Sequence, residues 1–348
     1  MKITLKDILK FLFFLGIGFL LIWLFVRKLT SEEIDSIFAS LKNIKYSWLI
    51  LAFIFGVISV IARASRWIIL IEPLGYKPKY SNMFFSVLVA YIANLAFPRL
   101  GEVARCGVLT KYEEIPFEKS FGTVITERIC DLLVFFILLI ANIIIQYSVL
   151  EAYVNEKILG RLFGKNAEIP ILLIIFISFV ALVLILVFIV KKFPNNKFAK
   201  KTKKVFSGFI EGIKSFSKIQ RPWAFLFHTV LLWVCYFYMT RVVFYCLAET
   251  SFLGSDAAFS SLVFSTIGNI LVQGGIGIYP MIVSEILTVY GCTSAIGYTM
   301  GWLIWINQTM LIIIGGIVAF IVLPFINNNN KDNKPKEILP DETNIIDK

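Results

Sequence analysis

Runs of apolar residues without a charge dominate the chain. Residues 46–62, 80–98, 132–150, 170–190 and 222–240 hold no Asp, Glu, Lys or Arg, and neither does the whole stretch 286–330. A helix crosses the hydrocarbon layer in roughly 17–25 residues, so each run is long enough to be a membrane segment. The first run, residues 11–26, is slightly shorter and is extended by Ile8 and Leu9. The runs are continuously apolar rather than alternating, which predicts buried or lipid-facing helices and no half-exposed strands. An all-α polytopic membrane protein follows.

Composition agrees. The 348 residues are 58% hydrophobic and 16% charged, with 33 Phe, whereas a soluble domain is about a quarter charged. Lys2, Lys6 and Lys10 before an apolar core resemble a signal peptide. However, Arg27 and Lys28 follow directly with no small-residue cleavage site, so an uncleaved first helix is expected.

The net charge of +11 is local: ten basic residues between Lys191 and Arg221 face Glu211 alone. Between membrane helices, such a loop reads as a cytoplasmic anchor for anionic headgroups rather than a nucleic-acid site. With this loop inside, 19 Lys and Arg lie on the cytoplasmic side and 7 outside.

Threading the chain from that anchor leaves a problem at residues 80–110. This segment starts beside Lys77 and Lys79 and finishes at Lys111, Glu113 and Glu114, which must share one side. The expected solution is a re-entrant hairpin that descends to about Pro98, turns at "PRLGE" and returns along residues 103–110. Residues 257–291 form a second hairpin around Gly274, Gly275, Gly277 and Pro280, entering from the other side. About six full crossings plus two hairpins result.

Residues 47–150 and 222–325 each read as helix, broken hairpin, helix, with opposite orientation. Paired interrupted segments of this kind point to an inverted-repeat transporter. No residue-level likeness between the halves accompanies the pattern. Residues 1–326 form one transmembrane domain, and 327–348 a polar cytoplasmic tail.

Irregular backbone at membrane depth survives only when buried in protein or lining a wet cavity. Charged residues gather around the first hairpin. Arg99, Glu102 and Arg105 lie at or beside its tip, Arg63 and Arg66 share a helix face at i, i+3, and Glu127, Arg128 and Asp131 open the next crossing. Ionisable groups in this setting are functional candidates by default. Pairing among themselves would only lock the helices, but five Arg against three acids leaves room for an anionic ligand such as phosphate.

"GGIG" lacks the Lys-Ser/Thr of a nucleotide loop. It serves either close helix packing or bare N–H donors, with Gln273, Asn307 and Gln308 as neutral partners. The single histidine, His228, and five Cys without CxxC spacing supply no metal set. No cofactor is expected.

The stretch Asn94 to Arg105 ("NLAFPRLGEVAR"), "ERICD" at Glu127 to Asp131, and "GGIG" at Gly274 to Gly277 together resemble the lysylphosphatidylglycerol synthase transmembrane-domain family. The likeness runs over about residues 8–325. It implies a protein of the cell membrane, the bacterial inner membrane in that family, that handles phospholipid or polyprenyl-linked lipid. The charges around the first hairpin and the glycine run of the second give Arg63, Arg66, Arg99, Glu102, Arg105, Glu127, Arg128, Asp131, Gln273, Gly274, Gly275 and Gly277 as substrate-binding candidates.

Two departures qualify the resemblance. Gln273 and Tyr279-Pro280 replace the Pro and acid that often flank the glycines, with Glu285 further on, and the short tail leaves no soluble aminoacyl-transferase domain. Lysyl transfer is therefore not expected.

The leading expectation is a lipid translocase whose arginines grip a headgroup phosphate, with membrane lipids as partners and no nucleic acid. A membrane transferase using Glu127 or Asp131 as base is the enzymatic alternative. A non-transporting scaffold for an envelope-lipid or glycan complex, as a homo-oligomer or beside a separate transferase, is the third.

Overall fold

The computed structural model describes residues 16, 20, 22–27, 29–97, 99–154, 192 and 219–328. The expected crossing at 170–190, nearly all of the basic loop, most of the first helix, Pro98 and the tail from residue 329 lie outside the described residues. Among the described residues every regular element is helical.

The α-helices with both ends among the described residues are, in order, α1 (Ser31–Lys42), α2 (Tyr46–Ile71), α3 (Tyr80–Ala96), α4 (Leu100–Glu113), α5 (Phe117–Ile145), α6 (Tyr147–Val154), α7 (Pro222–Val243), α8 (Ser255–Leu271), α9 (Ile278–Val289) and α10 (Ser294–Asn328). Among the described residues, four segments are long and apolar enough to cross a bilayer: Tyr46–Leu74, Phe117–Ile145, Pro222–Cys246 and Ser294–Asn328. α3 and α9 are apolar but shorter.

Local chemistry sets several ends. Thr30 and Glu33 form a reciprocal capping box at the start of α1. Pro116 precedes α5 with extended backbone, and Pro222 opens α7, where a missing N–H costs nothing. Two boundaries differ from expectation. The returning arm α4 spans 14 residues from Leu100, about 21 Å, rather than the roughly 12 Å of residues 103–110. α5 begins at Phe117, so Glu127 and Asp131 lie well inside a 29-residue helix rather than at its start.

The arms of the first hairpin close at one end of the bundle. Glu113 accepts hydrogen bonds from the Lys79 N–H (3.1 Å) and from Asn82 Nδ2 (2.5 Å), tying the end of α4 to the start of α3. Asn82 and Asn327 exchange amide hydrogen bonds at 2.9 and 2.7 Å, which brings the end of α10 to the same place. At this end Arg221, before α7, also pairs with Glu72, after α2.

The opposite end holds the second hairpin's arms. Ser260 near the start of α8 meets the Tyr290 hydroxyl just beyond α9 (3.0 Å) and accepts from Asn142 near the end of α5 (3.1 Å). There, too, the Lys45 N–H donates to Cys246 O (3.0 Å), so α2 and α7 run antiparallel.

Helix order therefore repeats: α2–α5 and α7–α10 are each a long helix, a 17-residue helix, a break, a shorter helix and a long helix. Contacts repeat as well. α3 packs on α10, and its counterpart α8 packs on α5, while α2 and α7 pack on each other.

Association between membrane helices has no hydrophobic drive and relies on close packing and interhelical hydrogen bonds. Both operate here. Gly315 and Gly316 of α10 admit Leu88 and Ile92 of α3, and a Cβ on Gly316 would lie 2.6 Å from that of Ile92. Gly56 of α2 admits Met239 of α7 and Leu311 of α10 in the same way.

Candidate functional site

The first break follows from its sequence. α3 ends where Phe97 adopts extended geometry (φ −140°, ψ 135°), the conformation favoured before proline. Arg99 then takes left-handed geometry (φ 64°, ψ 6°), and α4 starts at Leu100, whose N–H donates to Phe97 O (3.2 Å). Asn94 Oδ1 accepts from the Gly101 N–H at 2.7 Å. A Cβ at Gly101 would collide with Ala90 O and come within 2.6 Å of the Asn94 side chain, so only glycine permits this crossing.

The second break has the same construction. Val272 is extended (φ −118°, ψ 129°), Gly274 is left-handed (φ 68°, ψ 1°), and the Gly275 N–H donates to Val272 O at 2.9 Å. Asn269 lies directly beneath Gly275. Trp305 Nε1 donates to Gly274 O at 2.6 Å, so this glycine run works as a braced turn. The two tips meet, with Leu95 against Gly274.

Aligning the breaks exposes a likeness that reading the halves separately missed. The starts of α3 and α8 differ by 175 positions (255 − 80). At that offset Phe84, Ser86, Ile92 and Asn94 fall on Phe259, Ser261, Ile267 and Asn269. Ser86 and Ser261 are both fully buried. The same offset carries Trp48 onto Trp223 and Arg66 onto Arg241. Arg241 hydrogen-bonds Tyr245 OH (2.6 Å) and forms no ion pair among the described residues.

The charged candidates separate into three groups. Arg63, Arg66 and Arg105 are buried with Glu127. Glu127 Oε1 takes Arg63 and Arg66 (3.0 Å to the latter), and Oε2 takes Arg105 at 2.8 Å. Asp131 pairs with Arg63 (3.0 Å) and Arg66 (2.6 Å). Three helices, α2, α4 and α5, are thus joined by three guanidinium groups and two carboxylates. The Arg105 guanidinium also lies 4.5 Å over the Trp67 ring, and Trp67 Nε1 donates to Thr123 (2.8 Å).

The second group is a more open pair, Arg128 to Glu102 at 3.0 Å. The third is Arg99 alone. It is exposed and forms no ion pair among the described residues. Of the glycine-run partners, Asn307 is used up structurally by Leu49 O (2.9 Å), and the side chain of Gln273 lies outside the described residues.

The buried network therefore acts first as a lock. Three positive charges against two negative leave one in excess, and Arg105 Nη2 has no hydrogen-bond partner among the described residues.

Beside the network, between the two halves, is a cavity of about 290 Å³. Its wall includes Tyr91, Trp233, Tyr236, Asn269, Tyr279 and Gln308. Arg63 Nη2 donates to the Tyr236 hydroxyl (3.3 Å), which links network and cavity. None of these aromatic residues stands out in the sequence, because a Tyr or Trp in an apolar run carries no mark of which helix face it occupies. Among the described residues no cluster of His, Cys, Asp and Glu suits a metal ion.

Comparison with known proteins agrees with the motifs. The UPF0104 membrane protein MJ1595 of Methanocaldococcus jannaschii is 32% identical over 167 residues, 47% of this chain and 46% of that protein. The match thus spans about half the length of that relative. No solved structure matches. The family model for the lysylphosphatidylglycerol synthase TM region matches residues 8–326, nearly the whole chain, so this membrane protein belongs to the lysylphosphatidylglycerol synthase TM-region family.

Proposed function

We propose that the protein resides in the cell membrane as a multi-pass lipid translocase that recognises the phosphate of a phospholipid or polyprenyl-linked lipid. The observation that carries this reading is the meeting of two broken hairpins, opening toward opposite ends of the bundle, at Leu95 and Gly274. Such paired interruptions suit a site reached in turn from either side.

Arg99 is the phosphate contact in this reading. It is exposed at the tip of the first hairpin, with its planar fork free to bind two oxygens. Arg128 is a second contact, held by a pair with Glu102 that a phosphate can displace. Arg63, Arg66 and Arg105 hold the hairpin in place and add a positive field behind it. The basic loop between Lys191 and Arg221 marks the cytoplasmic side. The chain carries no nucleotide-binding motif, so movement is passive, ion-coupled or driven by a partner.

The test uses proteoliposomes containing fluorescent phosphatidylglycerol, with dithionite bleaching of the outer leaflet as readout. Wild-type protein should expose inner-leaflet lipid faster than empty vesicles. Arg99→Gln should slow this by roughly tenfold or more, the value of a charge-assisted hydrogen bond. Wild-type vesicles that behave like empty ones would reject translocation of this lipid.

A further inference from the structure

The cavity between the halves does not match the charged character of the hairpin tip. Its described lining carries no charged side chain. The guanidinium of Arg63 is held by Glu127 and Asp131 and meets the wall from behind, at the Tyr236 hydroxyl and over the Tyr91 ring at 5.9 Å. A phosphate placed here would find no cation to pair with and would be costly to desolvate.

An acyl chain fits little better. Trp233 Nε1 is buried without a hydrogen-bond partner among the described residues. The Gln308 amide has only a long contact, 3.4 Å, to the Tyr279 hydroxyl. Hydrocarbon in the cavity would leave these groups unpaired in a low-dielectric interior.

A neutral group with several hydroxyls meets both conditions. Each hydroxyl donates and accepts, so it can serve an indole N–H, a carboxamide and phenol oxygens together. Its C–H faces pack on the Tyr and Trp rings that make up much of the wall. Apolar and aromatic lining with a few convergent neutral polar groups is the usual make-up of a site that orients such a ligand.

We propose that the cavity lined by Trp233, Tyr236, Tyr279 and Gln308 binds a neutral polyhydroxylated group, a sugar or a glycerol unit. This rests on the translocase reading only in so far as the group is the terminal part of a lipid headgroup. A free sugar would offer the same chemistry.

The test is a binding titration of full-length protein in phosphatidylcholine nanodiscs. Three probes are compared: glucosyl-dioctanoylglycerol, dioctanoylglycerol and free glucose. Two new hydrogen bonds predict that wild type prefers the glucosyl lipid over bare diacylglycerol by roughly twentyfold. Trp233→Phe and Gln308→Met, which keep bulk and remove the polar group, should each reduce that preference by roughly fivefold. Thermal melting of each variant identifies any that misfolds, and the other then carries the test.

Free glucose binding as tightly as the glucosyl lipid would support the site and make its source soluble. Equal affinity for glucosyl and bare diacylglycerol would overturn the proposal, leaving a lipid slot or a water-filled void. So would folded variants that keep the full preference. Arg99→Gln separates the two readings. If it leaves phosphatidate binding intact while the glucosyl preference persists, the phosphate reading fails and the cavity proposal stands.

Discussion

Arg99 and Gly274, in opposite halves of the chain, share one backbone conformation, with φ and ψ of 64° and 6° against 68° and 1°. Left-handed geometry costs a residue with a Cβ about 1–2 kcal/mol, and glycine almost nothing. Arg99→Gly should therefore stabilise the protein by about 1 kcal/mol while slowing lipid movement. Gly274→Ala should destabilise it by a similar amount, although space exists there, since a Cβ would lie 3.4 Å from Leu95. Melting temperatures in detergent check the pair; opposite signs are required.

Arg99 and Glu127 differ in what their loss would leave behind. Glu127 is fully buried among Arg63, Arg66 and Arg105, so Glu127→Gln strands paired guanidinium groups and should cost about 3–5 kcal/mol. Arg99→Gln strands nothing and should shift stability by no more than about 0.5 kcal/mol. Chemical denaturation of both variants measures the contrast. A large loss of stability in Arg99→Gln would show that it is part of the lock.

Glu102 pairs with Arg128 and not with Arg99. The stability effects of Arg99→Gln and Glu102→Gln should therefore add, within about 0.5 kcal/mol. Under the binding reading the double variant folds and still fails to bind phosphatidate vesicles. Normal binding by the folded double variant would remove Arg99 from the site.

Gly101 crosses Ala90 and Asn94 too closely for any side chain. Gly101→Ala should force the arms of the first hairpin apart and cost about 1–3 kcal/mol. Gly107, on the next turn but one of α4, has open space around it, so Gly107→Ala should be neutral or slightly stabilising. Thermal melting of the two variants compares a crossing point with a free helix face.

Leu100 and Ile276 belong to hairpins that open at opposite ends of the bundle. With the five native Cys replaced, a cysteine at Leu100 should react with a membrane-impermeant maleimide from the cytoplasmic side. A cysteine at Ile276 should react from the other side. Labelling of both from one side would reject the opposed arrangement.

Charge-free runs long enough to cross a bilayer made the long helices α2, α5, α7 and α10 legible in sequence, and the Pro and Gly interruptions made the paired arms α3–α4 and α8–α9 legible. Those features depend on composition and length, and hydrocarbon imposes both directly. Helix ends were less legible. α5 begins at Phe117 because interior pairing lets Glu127 and Asp131 continue a helix that their charge alone would interrupt.

The division of the arginines was settled only by tertiary structure. Arg63, Arg66 and Arg105 look no different from Arg99 in the chain, yet packing of α2, α4 and α5 buries these three against Glu127 and Asp131 and leaves Arg99 exposed. The likeness of the halves was written in Asn94 and Asn269 but had no register until the two breaks could be laid over each other. The cavity was invisible for the same reason. A sequence orders residues along one helix, whereas a wall built from helices of both halves exists only after they pack.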